Sequence, residues 1–215
     1  MRQFLVGTDT KVRMFSEIPY FWRVVILITL MFAAAGYDYY RNRAGSSRWR
    51  EYGLVLIGGV VGAFMGMVND IITSSISPEY FTFGKGLAGG NGLQVRAAML
   101  GIKAGFSAGV IVAGILLYAA TRKHRQSSGA YRRIFRCIYK PILGAVIMGV
   151  ALPAFLSSVD PAGFAAKLEG VADANQIRWF ITVWWIHLGL YAGATCGLIW
   201  AIVELSLRNK KAIGV

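Results

Sequence analysis

Long apolar runs, interrupted by shorter polar and basic stretches, organise this chain, and they cover about residues 21–39, 52–69, 97–121, 138–157 and 180–205. Within each run the apolar residues surround every helical face and do not alternate with polar ones. At about 1.5 Å per residue, each run wound as a helix covers most of a hydrocarbon core about 30 Å thick. In lipid every backbone N–H and C=O must pair within its own segment or around a closed barrel. Barrel strands would be about ten residues long with alternating polarity. The pattern therefore predicts an all-α, polytopic transmembrane helical bundle of about five spans: a four-span core of two hairpins plus an N-terminal helix. The first run is the weakest span. Arg23 opens it and its apolar centre is short, so a helix lying along the interface is the alternative. Ala33-Ala34-Ala35 resembles the small-residue cleavage site of a signal peptide, but the segment is expected to be retained.

The stretches between the runs complete the layout: a short N-terminal segment 1–20, an external loop 70–96, a basic connector 122–137, a second external loop 158–179 and a basic tail 206–215. Composition agrees, since 56% of residues are apolar and only 15% charged, against about 25% charged in a soluble domain. Net charge is +13. In a soluble chain that would suggest nucleic acid; here basic residues flanking spans set orientation. Arg41, Arg43, Arg48 and Arg50, the seven basic residues from Arg122 to Lys140, and Arg208, Lys210 and Lys211 would share one side, fourteen of the 23 basic residues. That side is expected to be cytoplasmic, which places the N-terminus and both external loops outside, in a bacterial inner membrane. The expected partners are the lipid bilayer, anionic lipid at the basic connectors, and a homo-oligomer or larger membrane complex, with no nucleic acid.

Small residues recur at helical spacing. Gly58, Gly62 and Gly66 repeat every four residues in the second span, Gly189, Gly193 and Gly197 do so in the fifth, and Gly105 and Gly109 form a pair in the third. Such ridges let helix backbones approach closely. Contact within the chain is the favoured reading, and contact between copies the alternative. The stretch from Lys103 to Gly109 aligns without gaps on His187 to Gly193. Spans two–three and four–five therefore look like two similar hairpins, although chance likeness among Gly/Ala-rich spans explains the match equally well.

Polar residues inside apolar runs are costly and commonly face a bundle interior or a water-filled cavity. Lys103 and His187 each lie roughly 10 Å inside the outer end of their spans at the helical rise. Asn69 and Asp70 finish the second span on that side, and Glu79 and Arg96 follow in the loop. Asp70, Glu79, Arg96, Lys103 and His187 thus form a candidate outer polar pocket for an anion, a lipid head group or a proton. The plainer reading is that Lys103 snorkels to the interface or pairs with Asp70 to hold the fold.

The remaining features have structural readings. The glycine-rich stretch 84–92 lacks the flanking strand and Lys-Ser/Thr of a phosphate cradle, so a flexible exterior loop is expected. Trp184 and Trp185, with Tyr37, Tyr39 and Tyr40, look like interfacial belts. Glu204 is expected to pair with Arg208 one turn later. Cys137 and Cys196 are expected to be reduced thiols, and two histidines are too few for a metal site. No catalytic constellation and no cofactor motif stands out.

Asn69-Asp70-Ile71-Ile72, followed by Ile76-Ser77-Pro78-Glu79-Tyr80-Phe81-Thr82, resembles the signature of a group of small bacterial multi-pass membrane proteins with no assigned biochemistry. The stretch from Ile186 to Gly193 is similar to their final helix. The resemblance covers roughly residues 52–205 and departs in the additional N-terminal span; it implies architecture and an Asp70/Glu79/His187 cluster. Pro78 is expected to stop the helix, and Tyr80 and Phe81 to anchor at the interface, with the loop folding back as a lid or plug. For function, the leading expectation is a non-enzymatic subunit or accessory partner of a membrane assembly. It predicts a tight bundle with its glycine ridges against another chain. The alternative is a small transporter or channel, which predicts a cavity reaching Lys103 and His187.

Overall fold

The computed structural model describes residues 19–46, 48–121 and 129–211. Among these every regular element is a helix, with no strand, and five of the helices are long and apolar enough to cross a membrane. The expected all-α polytopic fold is the one observed. Most of the N-terminal segment, the first part of the basic connector, the end of the tail and the side chain of Arg208 lie outside the description.

The chain divides into two compact units, Met1–Gly53 and Leu54–Val215. In the first, helix α1 (Tyr20–Asn42) ends in a 3₁₀ turn, Arg43–Gly45. Asp38 organises this end: its carboxylate accepts hydrogen bonds from the Asn42 amide at 2.7 Å and the Ser46 hydroxyl at 2.8 Å, and the Arg48 guanidinium lies 3.7 Å away.

The second unit is built from α2 (Arg48–Ile76) from Leu54 onward, a single π-helical turn (Tyr80–Gly84), α3 (Leu93–Thr121), α4 (Gly129–Cys137), α5 (Tyr139–Leu156), α6 (Phe164–Leu168) and α7 (Ala174–Lys211). The glycine ridges make it. A Cβ on Gly62 would run into the Gly105 carbonyl, one on Gly66 into Gly101, and one on Gly58 into Ala113 and Gly109. Helices α2 and α3 therefore pack backbone on backbone as an antiparallel hairpin. On α7, Gly189 meets Met148 and Gly149, Gly193 meets Gly144, and Gly197 meets Lys140 and Pro141 on α5. All these partners belong to the same chain, so the ridges are spent on the two hairpins.

Two cores close the unit at opposite ends. One gathers Tyr80, Phe81, Ala97, Leu168, Phe180 and Val183; the other gathers Leu54, Leu116, Ala120, Ile134, Cys137, Ala201 and Leu205. Several sequence expectations change here. Pro78 begins a new turn, a position where its missing N–H costs nothing, and Ser77 caps that turn by accepting the Tyr80 N–H at 3.2 Å. Tyr80 and Phe81 are fully buried and are not interfacial anchors. Trp185 is also buried, its indole N–H donating to the Val159 carbonyl at 3.0 Å, because an enclosed indole needs an acceptor. The basic connector contains α4, an amphipathic helix that buries Ile134 and Cys137 and exposes Arg132, Phe135 and Arg136. The glycine-rich loop is stapled, with the Arg96 guanidinium donating to the carbonyls of Ala88, Gly89 and Asn91. Glu204 is also bound by Lys140 of α5, whose ammonium lies 4.1 Å from the Trp200 ring centroid; its expected contact with Arg208 falls outside the described residues.

Candidate functional site

Between the two closing cores lies a cavity of about 640 Å³, lined by α2, α3, α5 and α7. Its walls are glycine, alanine and branched aliphatic side chains with Phe64 and Met65. The ridges explain the space, because residues without side chains face it from α2 and α3. Exposed residues such as Phe64 and Val150 line it as well, so the cavity opens on the apolar outer surface. Polarity is confined to one end, where Asn69, Asp70, Thr73, His187 and Tyr191 gather.

Asp70 reaches this position because Gly101 on α3 leaves room; a Cβ on Gly101 would lie 3.0 Å from that of Asp70. Asp70 Oδ1 lies 3.1 Å from His187 Nε2, and both residues are buried. The other ring nitrogen, Nδ1, is 2.9 Å from the Val183 carbonyl. A carbonyl oxygen only accepts, so Nδ1 carries a hydrogen and Nε2 is the atom presented to the carboxylate. The Asn69 amide nitrogen completes the group, 3.0 Å from Asp70 Oδ1 and 3.3 Å from His187 Nε2. Its two hydrogens can serve both acceptors at once. The Tyr80 ring stacks on the imidazole at a centroid distance of 4.8 Å, and the Phe81 ring lies edge-on at 6.1 Å. Burial, with the neighbouring Tyr191 and Asp70, pushes the Tyr80 phenol far above its ordinary range, so this cover is a neutral one.

The five pocket residues read from sequence thus separate. Asp70 and His187 are joined. Glu79 instead accepts from Ser77 at 3.2 Å and from Gln176 at 3.0 Å, tying the π-turn to the start of α7. Arg96 is committed to the glycine-rich loop, and Lys103 is an exposed residue of α3 that does not line the cavity. Sequence reasoning left out Asn69, Tyr80 and Tyr191 as site residues. A signal existed for Tyr191, which follows His187 by one helical turn, and for Asn69 beside Asp70. Tyr80 stacks across the fold, and no local spacing announces that. Among the described residues no three His, Cys, Asp or Glu side chains converge as metal ligands.

Five helices long and apolar enough to cross a membrane, and a mostly apolar cavity with a buried carboxylate–imidazole pair at one end, define the class: a polytopic α-helical membrane protein. Comparison with known protein families, with curated proteins and with solved structures finds no match.

Proposed function

We propose that this chain is a small, non-enzymatic transport protein that receives amphipathic molecules in the cavity between its two hairpins. The observation that carries the reading is the cavity itself. Its volume of about 640 Å³ lies within the roughly 300–1,000 Å³ of small-molecule sites, and its polar groups converge at one end. An apolar body would lie against Gly62, Ala108, Val146 and Leu190, with its polar end at Asn69, Asp70 and His187. The accessory-subunit reading loses its main support, because the glycine ridges meant for a partner are occupied within the chain. The likeness to small bacterial membrane proteins and the charge asymmetry motivate an inner-membrane location with the Asp70 end outward. Exposed Arg132 and Arg136 on α4 suit anionic lipid on the cytoplasmic side, at about 1 kcal/mol per basic residue near the surface.

The test is photolabelling in lipid nanodiscs with a diazirine-bearing alkyl amphiphile, followed by peptide mapping. Label should concentrate on cavity-lining residues of α2, α5 and α7, and Ala194→Trp, which fills the cavity, should cut it at least tenfold. Label spread evenly over outward-facing residues, unchanged in Ala194→Trp, would sink the reading.

A further inference from the structure

We infer that the cavity selects lipophilic cations and that the Asp70–His187 pair exchanges such a cation for one proton; this rests on the binding role proposed above. Charge sets the sign. The chain carries a net +13, yet among the described residues no lysine or arginine lines the cavity and Asp70 is the only carboxylate that does. An anionic head group would meet a carboxylate whose one cationic neighbour, the protonated His187 ring, is already paired with it. A cationic one would meet a buried countercharge.

The hydrogen-bond geometry supplies the exchange. Because Nδ1–H is committed to the Val183 carbonyl, Nε2 and Asp70 Oδ1 face each other at 3.1 Å. With one proton on Nε2, the pair is an imidazolium–carboxylate ion pair with no net charge. When that proton leaves to water, a neutral imidazole and a carboxylate remain, and the cluster carries one negative charge. Asn69 then separates the two opposed acceptors by donating one amide hydrogen to each. A bare negative charge in an apolar surround is costly. An arriving cation cancels it. The proton-loaded and cation-loaded states are both neutral, the empty one is not, and proton and cation therefore exclude each other.

Other titratable groups do not supply that charge. Tyr80, stacked on the ring from the π-turn, stays a neutral phenol, and Tyr191 is the one titratable side chain besides the pair that lines the cavity. Glu79 is bonded to Ser77 and Gln176. Lys85 lies beyond Tyr80, 5.3 Å from its ring centroid, and Lys103 is outside the cavity. From α3, Gly101 faces Asp70, and the α5 residues lining the cavity are apolar.

The experiment is calorimetric titration of the detergent-solubilised full chain with tetraphenylphosphonium, in buffers of different ionisation heat and across pH. Where the pair is protonated, binding should release close to one proton, and affinity should rise about tenfold per pH unit until the pair deprotonates. Asp70→Asn should lose at least a hundredfold in affinity and all proton release; His187→Gln should keep binding, with its pH dependence displaced because the proton then resides on Asp70 itself. The isosteric anion tetraphenylborate should not bind saturably. Affinity independent of pH with no proton released, wild-type affinity in Asp70→Asn, or equal binding of tetraphenylborate would each overturn the inference. Alkyl photolabelling confined to the cavity would leave the binding role standing in those cases. Should the variants fail to fold, ¹⁵N spectra of His187 in a His124→Gln background decide the matter. Tetraphenylphosphonium should deprotonate Nε2 and leave Nδ1 protonated, and an unchanged spectrum would overturn the inference.

Discussion

Lys140 is nearly fully buried among apolar helices, and it is tolerable there because two neighbours answer it: the Glu204 carboxylate and the face of the Trp200 ring. Removing only the lysine takes from Glu204, whose side chain is about a quarter exposed, a cation that answers its charge. Lys140→Met is therefore expected to cost about 3 kcal/mol, the low end for breaking a buried pair. Lys140→Met with Glu204→Gln should recover most of that loss, as read by thermal melting in detergent. No recovery would mean that Lys140 acts through packing alone. This pair was not legible in the sequence. Its members are 64 positions apart, whereas Arg208 stands one turn from Glu204 and offers the obvious local partner. Asp70 and His187 were legible for the opposite reason. His187 is a lone ionisable residue in an apolar run, Asp70 with Asn69 closes another, and both lie near the same end of their spans.

At the level of elements, the apolar runs disclosed the helices and the four-residue glycine spacing disclosed their contacts, while lengths and ends were harder to read. Helix α2 continues to Ile76 through Asn69, Asp70, Thr73, Ser74 and Ser75, where hydropathy has already fallen. The hydroxyls there bond back to the helix itself, Thr73 to the Asn69 carbonyl at 2.8 Å and Ser74 and Ser75 to that of Ile71 at 3.0 Å. A hydropathy pattern does not register that internal satisfaction. Glycine position, by contrast, makes sharp predictions. Gly105→Ala forces a methyl into the Gly62 backbone and should destabilise by about 1–3 kcal/mol, the usual cost of overpacking. Gly114→Ala, with open space around it, should be neutral or stabilise by up to about 1 kcal/mol through helix propensity; melting of the two variants side by side checks both. The short helix α6 depends on pH in a defined direction. Burial works against the charge on Asp160, but backbone N–H groups of Ala165, Phe164, Ala162 and Gly163 outweigh it and hold the carboxyl below its ordinary value. A lowered folded value means that the contribution is complete above the ordinary carboxylate range and fades as pH falls through the lowered value. Hydrogen-exchange protection of residues 163–168 should therefore drop on acidification, and Asp160→Asn should flatten that dependence.

For the second unit as a whole, hairpin packing and the cavity are one fact. Backbone-on-backbone contact binds α2 to α3 and α5 to α7, while the residue cores at each end join the hairpins, so the middle is left short of side chains. The pairings also correspond: Gly58 meets Gly109 and Gly62 meets Gly105 in one hairpin, Gly144 meets Gly193 and Met148 meets Gly189 in the other. The aligned sequence stretches therefore fall on equivalent contacts, but the polar chemistry does not repeat, since the first hairpin supplies Asp70 and the second His187. The face of the membrane that the pair serves is part of the proposed orientation, which rests on charge. In the proposed orientation, with the basic connectors inside, Arg132 on α4 would face the cytoplasm and Lys167 on α6 the exterior; both are exposed. A membrane-impermeant maleimide applied to intact cells should label Lys167→Cys at once and Arg132→Cys only after permeabilisation. The native thiols interfere little, since Cys137 is buried and Cys196 lies on a lipid-spanning helix. The opposite labelling pattern would turn the Asp70–His187 end toward the cytoplasm.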